Sequence, residues 1–265
     1  MKALDFEYDG LNLSDWGYVV CEFDGDGGLE VLSNGSQLTF NTVPMFRGAK
    51  FDLTDSIYEE CIETTFQICK NNCDGVVEPI HIGEYRDLVT WLNRREFHKF
   101  KVLDGQYLDF YYEGSFNVSR IEVGGQIVGL ELTLKTNRPF AIHEEVTLHI
   151  DIQEPDESYT IIDVSDDEDI VYPYTQIICR QSGTLQIHNE REDRTTVIRN
   201  CTAGEVITMQ YPIIETSKPA HAIQEDFNFV FFRIAGDFVK KENKVTFSLP
   251  CDVEIRWNPI VKVGI

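Results

Sequence analysis

A succession of short strand-like segments fills the second half of the chain, and this pattern limits the fold more than any other feature. Each segment is rich in Val, Ile, Thr or aromatic residues, and turn residues separate it from the next. The segments are predicted at Val146–Ile152, Gln176–Arg180, Gly183–Asn189, Thr195–Asn200, Glu205–Tyr211, Asn228–Ile234, Lys244–Leu249 and Asp252–Trp257. Short strands at a spacing of roughly 8–12 residues are typical of a β-sandwich.

The first half also favours strands. Leu38–Val43 is β-rich. Tyr58–Lys70 alternates between two faces, with Phe66 and Ile68 on the apolar one. Later strands are predicted at Phe100–Leu103, Tyr107–Tyr112, Phe116–Val123 and Ile127–Lys135. The series ends at Pro139, because proline cannot donate a hydrogen bond to a strand ladder.

One helix interrupts these strands, and it is predicted at Glu84–Glu96. Its apolar residues recur at helical spacing, and they are Tyr85, Leu88, Val89 and Leu92. Ile82 is expected to pack just ahead of them. Acidic residues begin the segment, whereas Arg94 and Arg95 end it, which is the order that suits the helix dipole.

These patterns together predict a mostly β protein of two domains. Residues 1–142 are expected to form a β-barrel-like domain with one helix. Residues 143–265 are expected to form a β-sandwich, whose last strand can return toward the first domain. The boundary lies where Pro139 closes the first series of strands and the second series begins.

The charge of the chain excludes two classes of partner. Its formal net charge is −22, so it repels both phosphate backbones and anionic membrane surfaces. Lys2 is followed by Asp5, Glu7 and Asp9, with no apolar segment of the kind found in a secretory signal. We therefore expect a protein made in a cytoplasm, with no membrane contact and no stable binding to nucleic acid.

Motifs for metal and phosphate chemistry are incomplete. Asp24–Gly27 resembles the start of a calcium loop, but Gly28, Leu29 and Gly35 stand where an EF-hand needs an oxygen ligand, a glycine and a glutamate. The acidic run Asp163–Asp169 is expected to be a solvated loop. The chain has no Walker loop and no complete dinucleotide-binding glycine motif.

Catalytic groups are equally hard to find. There is no Gly-x-Ser-x-Gly sequence, and the six histidines are scattered without metal-ligand spacing. His143 lies beside Glu144 and Glu145, but adjacent residues of a strand point to opposite faces. The seven cysteines are expected to be reduced and buried. The sequence therefore predicts no catalytic, cofactor-binding or metal-binding residue and no cofactor.

The order of several weak patterns resembles the distal tail protein of long, flexible-tailed bacteriophages. In the first half the patterns fall on Glu84, Leu88, Trp91 and Leu92, then Tyr112, Gly114 and Phe116, then Thr136–Phe140. In the second half they fall on Gly183, Leu185, Ile187 and Asn189, then Gly204, Glu205 and Ile207, then Asn228 and Phe229, then Trp257 and Pro259. The segment Asp237–Asn243 departs from the tight turn expected there.

The resemblance implies a structural role at the tail tip of a virion. The first domain would form a homo-oligomeric, hexameric ring, and the second would be a galectin-like sandwich. The ring would join the tail tube protein to the tail-associated hub protein and carry a receptor-binding protein, while DNA only transits the bore. Acidic residues lining that bore would repel the DNA backbone. Phe46 with Arg47, or Phe110–Tyr112, could contact a neighbouring subunit.

Two rival functions stay open at this point. A carbohydrate-binding β-sandwich module would need an exposed aromatic ring beside polar groups, and Trp257 is instead interpreted as an anchor for the terminal strand. A hydrolase with an unrecognised site is the second rival, because catalytic sites can be carried on many folds.

Overall fold

The computed structural model describes residues 3–23, 38–45, 48, 50–58, 61–71, 78–167, 170–236 and 240–264. The chain divides into two compact units. Unit 1 comprises residues 1–142 and 262–265, and unit 2 comprises residues 143–261. Both units are built mainly from antiparallel strands, so the predicted mostly β fold is confirmed.

Unit 1 is organised around one large antiparallel sheet. The strands of unit 1, of which β4 and β5 form a separate pair, are β1 (Phe6–Tyr8), β2 (Leu11–Asn12), β3 (Tyr18–Cys21), β4 (Leu38–Pro44), β5 (Lys50–Tyr58), β6 (Glu63–Lys70), β7 (His98–Val102), β8 (Phe110–Val123) and β9 (Gln126–Thr136), with β10 (Ala141–His143) at the boundary. The main sheet has the order β2-β1-β7-β8-β9-β6-β3. Along this order β2 and β3 are its two ends, so the described strands form an open sheet and not a closed barrel.

Alternating apolar residues of this sheet form the core of unit 1. Phe6, Phe66, Phe100 and Phe116 point to the same side and are buried. The ring centroids of Phe116 lie 5.8 Å from Phe6 and 5.6 Å from Phe100. Aromatic rings at such distances pack edge to face or tilted, which adds to the free energy gained by burying them.

The helix α1 (Ile82–Leu92) covers this aromatic core. Of the residues predicted from the helical spacing, Leu88 and Leu92 are buried, whereas Tyr85 and Val89 are half-buried. Trp91 is also buried. The indole Nε1 of Trp91 donates a hydrogen bond to the carbonyl oxygen of Tyr8 at 3.0 Å. The helix is thereby fixed to the first strand of the sheet.

The predicted ends of the helix are wrong at both sides. The helix begins two residues earlier, at Ile82, which is exposed and does not pack on the core. It ends at Leu92, and Arg94 lies beyond it, where the guanidinium Nε donates to the carbonyl oxygen of Trp91 at 3.0 Å. The arginine therefore caps the helix from outside, because the last carbonyl groups lack partners within the helix.

Two predicted strands on either side of Gly114 form one strand, β8. Gly114 interrupts the β-rich sequence, but its backbone continues the strand opposite Thr136. A Cβ at this position would lie 2.6 Å from the Cδ1 atom of Leu134. Glycine is therefore needed for close packing and does not end the strand.

Unit 2 is a sandwich of two sheets. Its strands are β11 (Val146–Ile152), β12 (Glu157–Ile162), β13 (Ile170–Val171), β14 (Tyr174–Cys179), β15 (Gly183–Asn189), β16 (Arg194–Cys201), β17 (Val206–Gln210), β18 (Ile213–Thr216), β19 (Ile234–Ala235), β20 (Glu242–Phe247), β21 (Cys251–Trp257) and β22 (Ile260–Val261), with a short helix α2 (Ile223–Asp226). One sheet has the order β11-β21-β14-β17-β18 and the other β12-β20-β15-β16. Inward-facing residues of both sheets form one apolar core.

The strand predicted at Asn228–Ile234 is wrong for most of its length. Only Ile234 enters a strand there, and Phe229 has a left-handed backbone with φ of 57°. The side chain of Asn228 accepts from the backbone N–H of Val197 at 3.1 Å and donates to the carbonyl oxygen of Thr195 at 3.0 Å. These side-chain hydrogen bonds replace the ladder that a strand would form.

The acidic run Asp163–Asp169 is not the solvated loop that the sequence predicts. Asp163 and Ser165 are buried, and an oxygen of Asp163 accepts from the backbone N–H of Ser165 at 3.1 Å. The Nζ atom of Lys241 donates to the carbonyl oxygen of Ser165 at 3.0 Å. Glu168 and Asp169 lie outside the described residues.

Candidate functional site

The strands β4 and β5 form an antiparallel hairpin with exposed apolar side chains, which we call the exposed hairpin. Among the described strands, these two pair only with each other. The large exposed side chains are Leu38, Phe40, Val43, Phe51, Leu53 and Ile57. A hairpin of two strands is only marginally stable in water, and so many exposed apolar groups indicate a surface that associates with another one.

The base of the exposed hairpin packs against the rest of unit 1. The ring of Tyr58, the last residue of β5, lies edge-on to Phe140 with the centroids 6.3 Å apart. The Nζ atom of Lys262 lies 5.9 Å from the centroid of the same tyrosine ring. The hairpin therefore begins from a fixed point, while its apolar side chains beyond that point face solvent.

Unit 2 contains a buried ionic cluster of Glu205, His221 and Asp226. The imidazole Nδ1 of His221 lies 2.5 Å from an oxygen of Glu205, and its Nε2 lies 3.4 Å from an oxygen of Asp226. Glu205 is fully buried and also accepts from the backbone N–H of Thr202 at 2.8 Å and from the hydroxyl of Thr216 at 2.5 Å. A buried charge needs hydrogen-bond partners, and each carboxylate oxygen of Glu205 accepts two hydrogen bonds.

Opposing effects set the pKa values in this cluster. Burial alone would raise the pKa of Glu205, but the hydrogen bonds from His221, Thr216 and Thr202 outweigh it and hold the pKa below its ordinary value. Burial would likewise lower the pKa of His221, but the hydrogen bond to Glu205 and the nearby carboxylates outweigh it, so this pKa is raised. The cluster therefore favours a charged carboxylate beside a charged imidazole.

The raised pKa of His221 predicts how the stability of unit 2 changes with pH. The imidazolium contributes stability fully below its unfolded pKa of about 6.5 and loses it as pH rises through the higher folded pKa. We expect the free energy of unfolding to fall as the pH rises from about 6.5 through the folded pKa of His221, and His221→Gln to remove this part of the slope. Urea unfolding across that range measures the slope, with His149→Gln as the control. An unchanged slope in His221→Gln would contradict the assignment.

A row of five aromatic rings reaches the surface of unit 2 at its two ends. The row runs Tyr172, Tyr211, Phe231, Phe227 and Phe229, with neighbouring centroids 4.4 to 5.6 Å apart. Phe227 and Phe231 are buried, whereas Tyr211 is exposed and Phe229 is 72% exposed. A bulky residue with a positive φ is strained, so Phe229 is held outward at a cost of about 1–3 kcal/mol. We call this set the aromatic row.

The expectation of buried cysteines holds for Cys179, Cys201 and Cys251 only, since Cys21, Cys61 and Cys69 are half-buried. Cys21, Cys61, Cys69, Cys179, Cys201 and Cys251 are all free. Burial raises the pKa of the Cys251 thiol to about 12. The described residues contain no cluster of His, Cys, Asp and Glu that could hold a metal ion. The calcium-like loop Asp24–Gly27 and Cys73 lie outside the described residues.

Comparison with protein families identifies both halves of the chain. A family model described as a phage tail protein N-terminal domain matches residues 1–138, and one described as a phage tail C-terminal domain matches residues 140–257. The chain belongs to a family of phage tail proteins. No curated protein matches it.

The fold of this tail protein is similar to that of a distal tail protein. The crystal structure of SPP1 Dit, described as a paradigm of the hub adsorption apparatus of phages that infect Gram-positive bacteria, superposes with a TM-score of 0.61. The match covers 97% of this chain and 99% of that chain, at 13% sequence identity. The resemblance is therefore confirmed for a phage tail family by the family models and for the fold of a distal tail protein by the structural match.

Most of the residues on which this resemblance was based are buried core residues. Leu88, Trp91, Phe116, Leu185, Ile187 and Trp257 are buried in the tail protein. Trp257 is an anchor in β21, as expected. Tyr112, considered as a possible contact to a neighbouring subunit, is instead buried in the core, and its hydroxyl donates to the carbonyl oxygens of Val263 and Gly264 at 3.2 Å. Phe46 and Arg47 lie outside the described residues.

Sequence reasoning missed the ionic cluster and the aromatic row in this tail protein. Glu205 appeared only in a weak family pattern, and His221 only among scattered histidines, because sixteen positions separate them.

Neither described helix is both long and apolar enough to cross a membrane.

Proposed function

We propose that this tail protein forms a ring of six copies at the tail tip, joining the tail tube protein to the tail-associated hub protein. The observation that carries the proposal is the exposed hairpin. In a cyclic oligomer, each copy contacts the next through two different surfaces, and the exposed hairpin would be one of them. Such head-to-tail contacts close into a ring. The resemblance to distal tail proteins supports the number six and the position in the virion.

The energetics of the exposed hairpin favour self-association. Phe51 is 59% exposed and Ile57 is 57% exposed. Fully burying an exposed side chain of this kind gains about 1.5–3 kcal/mol, so burying the exposed part of each gains roughly half of that. We propose that a second copy of the chain covers the exposed hairpin, because the subunits of a tail structure are present together at high local concentration.

The aromatic row supports a second contact, with a receptor-binding protein. Aromatic side chains are enriched where a few residues dominate binding between proteins. Tyr211 and Phe229 present two such rings on unit 2. We propose that unit 2, expected as the domain 143–265, carries the adhesion protein, while unit 1 forms the ring.

The remaining parts of the proposal follow from composition. We propose that the chain is not an enzyme and carries no catalytic, cofactor-binding or metal-binding residue, and that it is made in the bacterial host cytoplasm before joining the virion. Six copies of a chain with a net charge of −22 repel DNA, which then passes through the bore without binding.

Replacing apolar residues of the exposed hairpin with lysine is expected to prevent ring formation. Lysine is chosen because it reduces the negative charge of the chain, so lost assembly cannot be attributed to added repulsion. Phe51→Lys with Ile57→Lys should raise the concentration needed for half-maximal assembly by at least about tenfold, since burying an unpaired charge costs more than 1.4 kcal/mol. Light scattering coupled to size exclusion, with negative-stain microscopy, measures the assembly.

The matched control is Val123→Lys, at a side chain of unit 1 that is 64% exposed and lies outside the exposed hairpin. This variant is expected to form rings as the wild type does. A wild-type chain that stays monomeric at the highest attainable concentration, or rings that persist in the double lysine variant, would refute the proposal.

A further inference from the structure

Two buried cysteines lie close together in the core of unit 2, on different sheets of the sandwich. Cys179 ends β14 in the five-stranded sheet, and Cys201 ends β16 in the four-stranded sheet. Both side chains are almost completely buried, and both thiols are free. A hydrogen bond joins the two thiols. A covalent bond between the sulfur atoms would therefore connect the two sheets directly.

Backbone hydrogen bonds hold the two cysteines in this position. The N–H of Gly204 donates to the carbonyl oxygen of Cys179 at 2.7 Å, and the N–H of Cys179 donates to the carbonyl oxygen of Glu205 at 2.9 Å. The segment that follows Cys201 is thus bonded to the residue that carries the other thiol. The thiol of Cys201 also donates to the carbonyl oxygen of Ile198 at 3.4 Å. The approach of the two thiols is therefore determined by the backbone as well as by the side chains.

A third buried cysteine, Cys251, is less well placed to react with Cys179. It lies on β21, directly opposite Cys179 in the pairing register. Residues directly opposite each other in antiparallel strands have Cβ atoms about 4.5–5.5 Å apart, whereas the Cβ atoms of a disulfide are about 3.5–4.5 Å apart. The thiol hydrogen bond of Cys179 is made with Cys201. Cys201 is therefore the partner that the geometry favours.

The environment makes Cys201 the more reactive of the two thiols. The hydrogen bond from Cys179, aided by a backbone hydrogen bond from Leu185, outweighs burial and lowers the pKa of the Cys201 thiol. The same thiol hydrogen bond, together with burial, raises the pKa of the Cys179 thiol. The thiolate is the form of cysteine that attacks an oxidant. Cys201 is therefore expected to react first, while Cys179 keeps its proton.

Cys201 lies under a surface loop and not in the middle of the core. It is the last residue of β16, and the three residues that follow, 202–204, are exposed. Surface loops open locally at little cost in free energy, which admits a molecule as small as a peroxide. A bulky disulfide reagent would need a larger opening, because the Cys201 residue is only 2% exposed.

We propose that Cys179 and Cys201 form a disulfide that joins the two sheets of unit 2 after the tail protein leaves the reducing host cytoplasm. Thiols stay reduced in a cytoplasm, whereas a virion outside the cell meets oxidants. The timing rests on the proposed synthesis in the host, but the chemistry does not.

A small peroxide is the oxidant in this reaction. The Cys201 thiolate attacks one oxygen of hydrogen peroxide, the O–O bond breaks, and a sulfenic acid and hydroxide form. The sulfur of Cys179 then attacks the sulfenic sulfur, so that an S–S bond forms and the S–O bond breaks. The hydroxyl leaves as water with the proton of Cys179. In total, two thiols lose two hydrogen atoms and one hydrogen peroxide becomes two water molecules.

Peptide mapping by mass spectrometry on the full-length protein tests the proposal. The reduced, folded protein is treated with hydrogen peroxide, its remaining thiols are blocked with N-ethylmaleimide, and it is digested with trypsin without reduction. Trypsin places Cys179, Cys201 and Cys251 on three different peptides. A linked pair that contains Cys179 and Cys201 is expected, lighter than the two free peptides by two hydrogen atoms. Oxidation should also shift the urea midpoint of unit 2, followed by Trp257 fluorescence, to a higher concentration, because the link restricts the unfolded chain.

Cys201→Ala should lose both the linked peptide and the midpoint shift. The matched control is Cys251→Ala, which removes the other buried cysteine beside Cys179 and should keep both. No linked peptide from the folded wild type, a link that appears only in urea, or a predominant link between Cys179 and Cys251 would overturn the proposal. Cys201→Ala keeps the exposed hairpin, so it should still form rings, and a failure of the ring proposal is seen separately.

Discussion

Phe116→Ala is expected to lower the free energy of unfolding of unit 1 by about 4 kcal/mol, the range for removing a buried aromatic side chain. The ring of Phe116 is fully buried, and its centroid lies 5.0 Å from that of Tyr8 and 6.0 Å from that of Phe66. Alanine would leave a cavity that these neighbours cannot fill, because rigid strands hold them on several sides.

Tryptophan fluorescence during urea unfolding measures this effect. Trp16 and Trp91 are stacked in unit 1 with their centroids 5.3 Å apart, and Trp257 lies in unit 2. A Trp257→Phe background therefore limits the signal to unit 1. The control is Phe97→Ala, at an exposed ring of the same unit, which should change the unfolding free energy by less than about 0.5 kcal/mol. Similar losses in both variants would mean that Phe116 is not a central core residue.

Glu205→Leu is expected to destabilise unit 2 by about 4 kcal/mol. The carboxylate accepts four hydrogen bonds, and leucine would leave the backbone N–H of Thr202 and the imidazole of His221 without an acceptor. Removing one partner of a buried ion pair typically costs about 3–5 kcal/mol, most of it from the group left behind.

A double variant separates the ion pair from the rest of the cluster. Glu205→Leu with His221→Leu removes both charges, so it should lose less stability than the sum of the two single variants. The control is Glu215→Leu, at an exposed glutamate of β18, with an expected change below about 0.5 kcal/mol. Urea unfolding followed by Trp257 fluorescence provides the values. Additive losses in the double variant would show that Glu205 and His221 are not coupled.

Local pattern in the sequence accounts for much of the fold. The bounds of β11 and β15 agree with the predicted segments, because apolar and polar residues alternate along all of β11 and along the middle of β15. The helix was found from its spacing of apolar residues, although Arg94 lies outside it as a cap. At Gly114 the same reasoning failed, since a glycine needed for packing against Leu134 looks like a turn.

The candidate surfaces depend on contacts that local pattern does not contain. Leu38–Val43 is readily predicted as a strand, but only its pairing with β5 reveals that its side chains remain exposed. The five-stranded sheet of unit 2 brings together His149, Gln176 and Glu254, which lie on three strands that are far apart in the sequence. Their proximity follows from strand order, which a single sequence specifies only weakly.

The return of the chain to unit 1 has a consequence for biosynthesis. The hydroxyl of Tyr112 bonds to Val263 and Gly264, and the residues between positions 143 and 261 belong to unit 2. A ribosome therefore synthesises all of unit 2 before it adds the last acceptors of Tyr112. Unit 1 therefore begins to emerge first, but its last segment follows the whole of unit 2.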